Sequence, residues 1–123
     1  MQLAVEVRNQ TWMAPEIAAC LRRHNAVWVL PDQAWMPSPL SVVERLDVVT
    51  GPFAYLRLLG DRDAVGARTK TLDHIVIDRG EQVAEDAQAI RILSQRVPVV
   101  AFVNNDYAGY APETARQLVA LTG

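Results

Sequence analysis

The chain has 123 residues, 50% of them hydrophobic and 21% charged, the balance of a folded globular protein rather than a disordered one. Its formal charge of −2 gives no overall field to draw it to nucleic acid or an anionic membrane, and no apolar run approaches the roughly 18 residues of a membrane-spanning helix. Glu6 interrupts what would be the apolar stretch of a signal peptide, so a cytoplasmic location is expected, and the single Cys20 excludes an internal disulfide and offers no metal-ligand spacing.

Residues 3–8, LAVEVR, alternate apolar residues with small or charged ones, which is the period of a strand. Residues 14–24 predict a helix: Pro15 suits its first turn, Ile17, Cys20 and Leu21 share a face, and Asn25 stops it. The continuous apolar run AVWVL, residues 26–30, reads as a strand covered on both faces and ends at Pro31-Asp32. After a loop punctuated by Pro31, Pro37 and Pro39, residues 40–46 predict a short helix capped by Ser38. Gly51-Pro52 breaks the chain before the strand FAYLRLL, residues 53–59. A loop of about 18 residues follows, long enough to be a lid or a covering segment. Asp78 and Glu81 then have the spacing of a capping box, ahead of a helix whose stripe is Val83, Ala87, Ile90 and Ser94 with Leu93 beside it. Residues 97–103, VPVVAFV, predict the fourth strand, residues 104–110 a turn, and Pro112 opens a last helix with Ala115, Leu118, Val119 and Leu121 as its apolar stripe.

Strand-helix repeated four times calls for α/β architecture with parallel strands and right-handed crossovers. A TIM barrel uses eight such units in roughly 250 residues, about 31 per unit, and four units in this chain have the same spacing, so the pattern fits both an open sheet and half of a TIM-type barrel.

Four blocks separate these alternatives: VEVRNQTW (residues 5–12), FAYLRLLGDR (53–62), TKTLDHIVIDR (69–79) and VNNDYAGYAPETAR (103–116). Their order and spacing resemble the C-terminal half of the YecE-like family, also called domain of unknown function family 72, over nearly the whole chain. The resemblance implies one domain, 1–123, made of four consecutive β/α units that form half of a TIM-type barrel; the relatives' N-terminal half has no counterpart here. Relatives often carry His where this chain has Leu59, Asp106 and Tyr110, so no metal or proton-transfer role is carried over to those positions. The family brings no established reaction or cofactor, and a fold alone licenses none.

Inside a barrel, the alternation of the first strand sends Leu3, Val5 and Val7 to the helices and leaves Glu6 and Arg8 inward; the third strand likewise turns Tyr55 and Arg57 away from Leu56 and Leu58. An inward charge needs a partner, which predicts an ion pair of Glu6 with Arg8 or Arg57. The strand ends add Asn9, Asp32, Asn104, Asn105 and Asp106 on the face barrel enzymes use for binding, although Asn and Asp also serve turns and caps. Trp12 and Trp35 are either stacking platforms or lids over the core. Arg62, Arg68, Lys70 and Arg79 in or after the long loop are offset by Asp61, Asp63, Asp73 and Asp78, the pattern of a solvated charged loop.

The expected function is binding of, or action on, a small anionic ligand that is phosphorylated, sugar-like or a nucleotide. Arg8 and Arg57 would hold the anion, Glu6 would act as acid or base, and Asn9, Asp32, Asn104 and Asn105 would orient the ligand. The alternative is a non-catalytic binding module or an inactive half-barrel. Half a barrel leaves its interior open, expected at Trp28, Tyr55 and Ala101, and so calls for a homodimer or a missing N-terminal half as partner.

Overall fold

The computed structural model describes residues 1–69, 71, 75, 77 and 79–123, with the side chains of Arg62, Asp63 and Asp106 set aside. The expected capping aspartate Asp78, and Lys70 and Asp73 of the charged loop, lie outside the described residues.

Four parallel strands stand in chain order: β1 (Ala4–Glu6), β2 (Val27–Gln33), β3 (Ala54–Gly60) and β4 (Val99–Val103). Between and after them run α1 (Pro15–Arg23), α2 (Pro39–Arg45), α3 (Arg62–Gly66), α4 (Gly80–Ser94) and α5 (Ala111–Thr122), with short 3-10 turns at Gln10–Trp12 and Asn105–Tyr107. This is the arrangement of half a TIM-type barrel: each strand pairs with the next, and β1 and β4 are the outer strands.

Local chemistry explains most boundaries. Pro15 and Pro39 occupy first-turn positions, where a missing amide costs no hydrogen bond, and the Ser38 side chain accepts from the Ser41 amide. The capping-box reading of α4 is corrected: the cap position falls on Arg79, one residue later than expected, without a side-chain cap. The loop after β3 also contains a helix the pattern does not predict, because the five residues of α3 are too few to show a period.

Burial on β3 alternates strictly. Ala54, Leu56 and Leu58 are buried toward the helices, while Tyr55, Arg57 and Leu59 on the opposite side are partly exposed. Pairing of Val5 with Trp28 and of Leu30 with Leu56 carries the helix-covered face across the sheet, and pairing of Glu6 with Val29, Val29 with Tyr55 and Arg57 with Phe102 carries the open one. Trp28 is therefore a core residue, 1% exposed against the helices. Ala101, paired with Leu56, also lies on the helix side. The expected open interior at Trp28 and Ala101 is corrected to Val100 and Phe102, with Tyr55 retained; the error lies in the phase assigned to the uniformly apolar runs AVWVL and VPVVAFV.

The core joins Trp28, Leu30, Leu56 and Leu58 of the sheet to Ala18 and Leu21 of α1, Val42 of α2, Val83, Ala87 and Leu93 of α4 and Leu118 of α5. Full burial of each large side chain stabilises by about 1.5–3 kcal/mol. At the C-terminal ends of β2 and β3 the register slips between Asp32 and Gln33, so that Gln33 pairs with Gly60. Gly60 has φ 68°, a conformation glycine adopts without a Cβ penalty.

Candidate functional site

On the open face, Glu6 ends β1 and Arg57 stands two strands away in β3. The Arg57 Nη1 donates to Glu6 Oε1 at 2.8 Å, and the Arg8 Nε donates to Glu6 Oε2 at 2.7 Å. The sequence allows Glu6 one partner or the other; it has both. The side chain of Glu6 is 12% exposed, that of Arg57 30% and that of Arg8 54%, so the carboxylate is the sheltered member and Arg8 the one that meets solvent. Arg57 also lies over the Phe102 ring, 5.7 Å from its centroid, a favourable position for a cation. One carboxylate against two guanidinium groups leaves an excess positive charge at the strand ends.

Two depressions adjoin this cluster. One of about 260 Å³ is lined by Arg8, Gln33, Trp35, Arg57, Leu59 and Asn104. The other, shallower, is lined by Val5, Glu6, Val7, Arg8, Asn9 and Trp12. Trp12 and Trp35 are 54% and 59% exposed, so neither is a lid over the core; both flank Arg8 instead. The Gln10 side chain donates to the Trp35 carbonyl and ties the loops after β1 and β2 together. Gln33, which the sequence pattern does not single out, lines this cavity, and its buried Oε1 has no hydrogen-bond partner among the described residues.

The asparagines have structural duties. Asn9 Oδ1 accepts from the amide and hydroxyl of Thr11 and caps the 3-10 turn, and Asn105 Oδ1 accepts from the Ala111 amide at 2.7 Å, which closes the turn into α5. The Asn104 amide donates to the Leu58 carbonyl and extends the β3–β4 pairing, while its residue lines the cavity beside Arg57. Leu59, one of the positions where relatives often carry His, lines that cavity too, and Tyr110 stands at the N-cap position of α5 without a side-chain cap; the side chain of Asp106 lies outside the described residues.

Asp32 does not join this cluster. It pairs with Leu58 on the helix-covered face, where its carboxyl is hydrogen-bonded to Asp86 of α4. Asp86 is 1% exposed and accepts a hydrogen bond from the Tyr107 hydroxyl at 3.2 Å. Burial pushes the Asp86 carboxyl up to about 10, and the hydrogen bond and charge of Asp32 push the same way. Burial likewise raises the Tyr107 hydroxyl, helped by the charges of Asp86 and Asp32. A carboxyl held neutral at Asp86 thus stands beside the Tyr107 hydroxyl that donates to it. A signal for this exists in the sequence: Asp86 falls on the apolar stripe of its helix between Val83 and Ala87. Above the cluster lies a cavity of about 500 Å³, lined in part by Asp32, Gln33, Asp61 and Arg79. Arg79 is held there by the Tyr107 carbonyl and the Tyr107 ring. Among the described residues, no three His, Cys, Asp or Glu side chains gather closely enough to hold a metal ion, and no helix is long and apolar enough to cross a membrane.

The family model for a protein of unknown function, DUF72, matches residues 1–123. A crystal structure of a DUF72 family protein from Thermotoga maritima is 26% identical and superposes with a TM-score of 0.71 over 98% of this chain and 46% of that one. A second DUF72 family protein, from Enterococcus faecalis, is 21% identical with a TM-score of 0.70 over 98% of this chain and 48% of that one. The chain thus spans about half the length of the structures it matches. No curated protein matches it.

Proposed function

Because the chain belongs to the DUF72 family, whose description names no activity, we propose from the site itself that the open face binds a small anionic, sugar-like ligand at the C-terminal ends of the strands. The observation that carries this reading is the convergence of Arg8 and Arg57 on Glu6. Each guanidinium has five N–H donors and gives one to Glu6, which leaves donors for a phosphate or carboxylate in the neighbouring cavity. Both Glu6 oxygens are engaged, so Glu6 serves as the counter-ion that fixes the two forks. Trp12 and Trp35 supply flat apolar faces for a sugar ring or base. Asn104 lines the same cavity, whereas Asn9 and Asn105 shape the loops around it. Asp32 stands outside the ligand's direct reach in this reading. The site contributes binding; turnover of a bound compound is what would make it an enzyme.

Thermal denaturation with inorganic phosphate, a hexose phosphate and the uncharged hexose tests the reading. A ligand at 100 times its Kd adds about 2.7 kcal/mol of stability. The phosphorylated sugar is expected to raise Tm most, phosphate less and the hexose least. Arg8→Gln, at a half-exposed position, is expected to keep the fold and lose the shift. An equal shift in that variant, or with the uncharged hexose, would refute the site.

A further inference from the structure

The open-face cavity beside Arg57 is small, and its charge can be counted. At about 260 Å³ it falls below the roughly 300–1,000 Å³ of sites for drug-sized ligands, which suits a single sugar-sized ring better than a nucleotide. Among the described residues its charged lining is Arg8 and Arg57, and the Glu6 carboxylate that both arginines bind cancels one of their two charges. One positive charge is left to meet a ligand. The neutral polar residues of the lining, Gln33 and Asn104, suit hydroxyl groups, and Trp35 suits the apolar side of a ring.

From this count we infer that the open-face site takes a sugar acid of the hexuronate class, whose one carboxylate meets Arg8 and Arg57, in preference to a phosphorylated sugar. The inference rests on the anionic-ligand proposal above and narrows it. A phosphate monoester carries about −1.5 to −2 charges near pH 7. Its second charge would enter the cavity without a further cation among the described lining residues, and would give up water without an ionic partner in return. The shape of the donors points the same way. Phosphoryl groups are commonly surrounded by backbone amides at a helix N-terminus or in a nest. No α-helix begins among the described lining residues, and the Asn104 amide is already given to the Leu58 carbonyl. A carboxylate is planar with two oxygens, the match of a guanidinium fork. Arg57 is held for that purpose by Glu6 at its Nη1 and by the Phe102 ring, 5.7 Å away, so that its fork keeps one orientation.

Isothermal titration calorimetry with glucuronate, glucuronamide, glucose 6-phosphate and glucose tests the inference. Near neutral pH, glucuronate is expected to bind about fivefold tighter than glucose 6-phosphate, the upper scale of one partly exposed charge pair, with the two uncharged compounds weakest. A second measurement uses the same unaltered chain. A phosphate monoester takes up its second proton near pH 6, so on mild acidification the affinity for glucose 6-phosphate should rise toward that for glucuronate, which should stay level because both arginines remain charged. In Arg8→Gln, glucuronate is expected to lose its advantage over glucuronamide. Glucose 6-phosphate binding as tightly as glucuronate near neutral pH, or more weakly as the pH falls, overturns the choice of carboxylate and leaves the anionic site standing. An advantage of glucuronate over its amide that survives Arg8→Gln also overturns it, since the carboxylate then lies elsewhere. If neither charged compound binds more tightly than glucose, the anionic site itself fails and this inference falls with it.

Discussion

Two ionisable clusters sit at the same ends of the strands, on opposite faces of the sheet, and they solve the cost of burying charge in opposite ways. On the open face, Glu6 keeps its charge by holding two guanidinium groups. On the helix-covered face, Asp86 gives up its charge: burial and the neighbouring Asp32 hold its carboxyl protonated up to about 10. The difference lies in which partners the register supplies. Pairing places Arg57 in line with Phe102 and Pro31 on the open side, two strands from Glu6, whereas on the helix side Asp86 meets the acid Asp32 and the phenol of Tyr107. The charge of Glu6 is kept by the two arginines bound to it, while burial beside a second acid holds Asp86 neutral.

The largest effect should come from breaking the open-face pair on one side. Glu6→Leu strands Arg57 over the sheet and is expected to cost about 3 kcal/mol, the lower end for a buried pair because Arg57 is partly exposed. The double variant Glu6→Leu/Arg57→Leu should recover most of that loss, since neither charge is then left without its partner. Urea unfolding of the two variants measures this, and a double variant as unstable as the single would show that the pair contributes more than mutual compensation.

A smaller and opposite effect is expected at Asp86. The unfolded carboxyl releases its proton near 4 while the folded one keeps it to about 10, so stability is greatest below the unfolded value and falls as pH rises across that window. Asp86→Asn cannot ionise and should flatten the profile, with the stability of the variant gaining on that of the wild type as pH rises from about 4 to about 8. A pH profile of the variant parallel to that of the wild type would mean that Asp86 is not the group responsible.

The smallest effect is predicted for a pair that is complete but exposed. Arg96 makes two hydrogen bonds to Asp47, at 2.8 and 3.3 Å, and the hydrogen bond holds the Asp47 carboxyl below its ordinary value. Both side chains are 53% exposed, so Arg96→Ala should change stability by no more than about 0.5 kcal/mol and the change should vanish in molar salt. A loss comparable to that of Glu6→Leu would erase the distinction between sheltered and solvated pairs.

The four strands and the four longer helices are legible in the sequence because each carries its own period and its own punctuation, such as Ser38 and the prolines at helix starts. The inward direction of Glu6 and Arg57 is legible too, from alternation along LAVEVR and FAYLRLL. Where all residues of a strand are apolar, as in AVWVL, alternation leaves no mark, and only pairing fixes the phase of Trp28. Asp86 escapes notice when its helix is read for an apolar stripe, because an acid on that stripe looks like an interruption. Its partner Asp32 falls to the strand mouth for a related reason: position along the chain says where a strand ends, while the side a residue faces at that end depends on neighbours that arrive from far along the sequence. Gln33 owes its place to the slip in register, which no local pattern announces.

The in-order sheet also orders the assembly of the chain itself. Ala4 pairs with Val27, but Ala54 pairs with Val99, nearly twice as far along the sequence, because the connection between β3 and β4 contains the long loop as well as α4. The entropy lost in closing a loop rises by about 0.6 kcal/mol for each doubling of its length, so the last strand joins at a greater cost than the first three. Among the described residues β4 pairs with β3 alone, so a single neighbour repays that cost. The amides of the β4–α5 unit are therefore expected to open to solvent exchange more readily than those of the central strands β2 and β3.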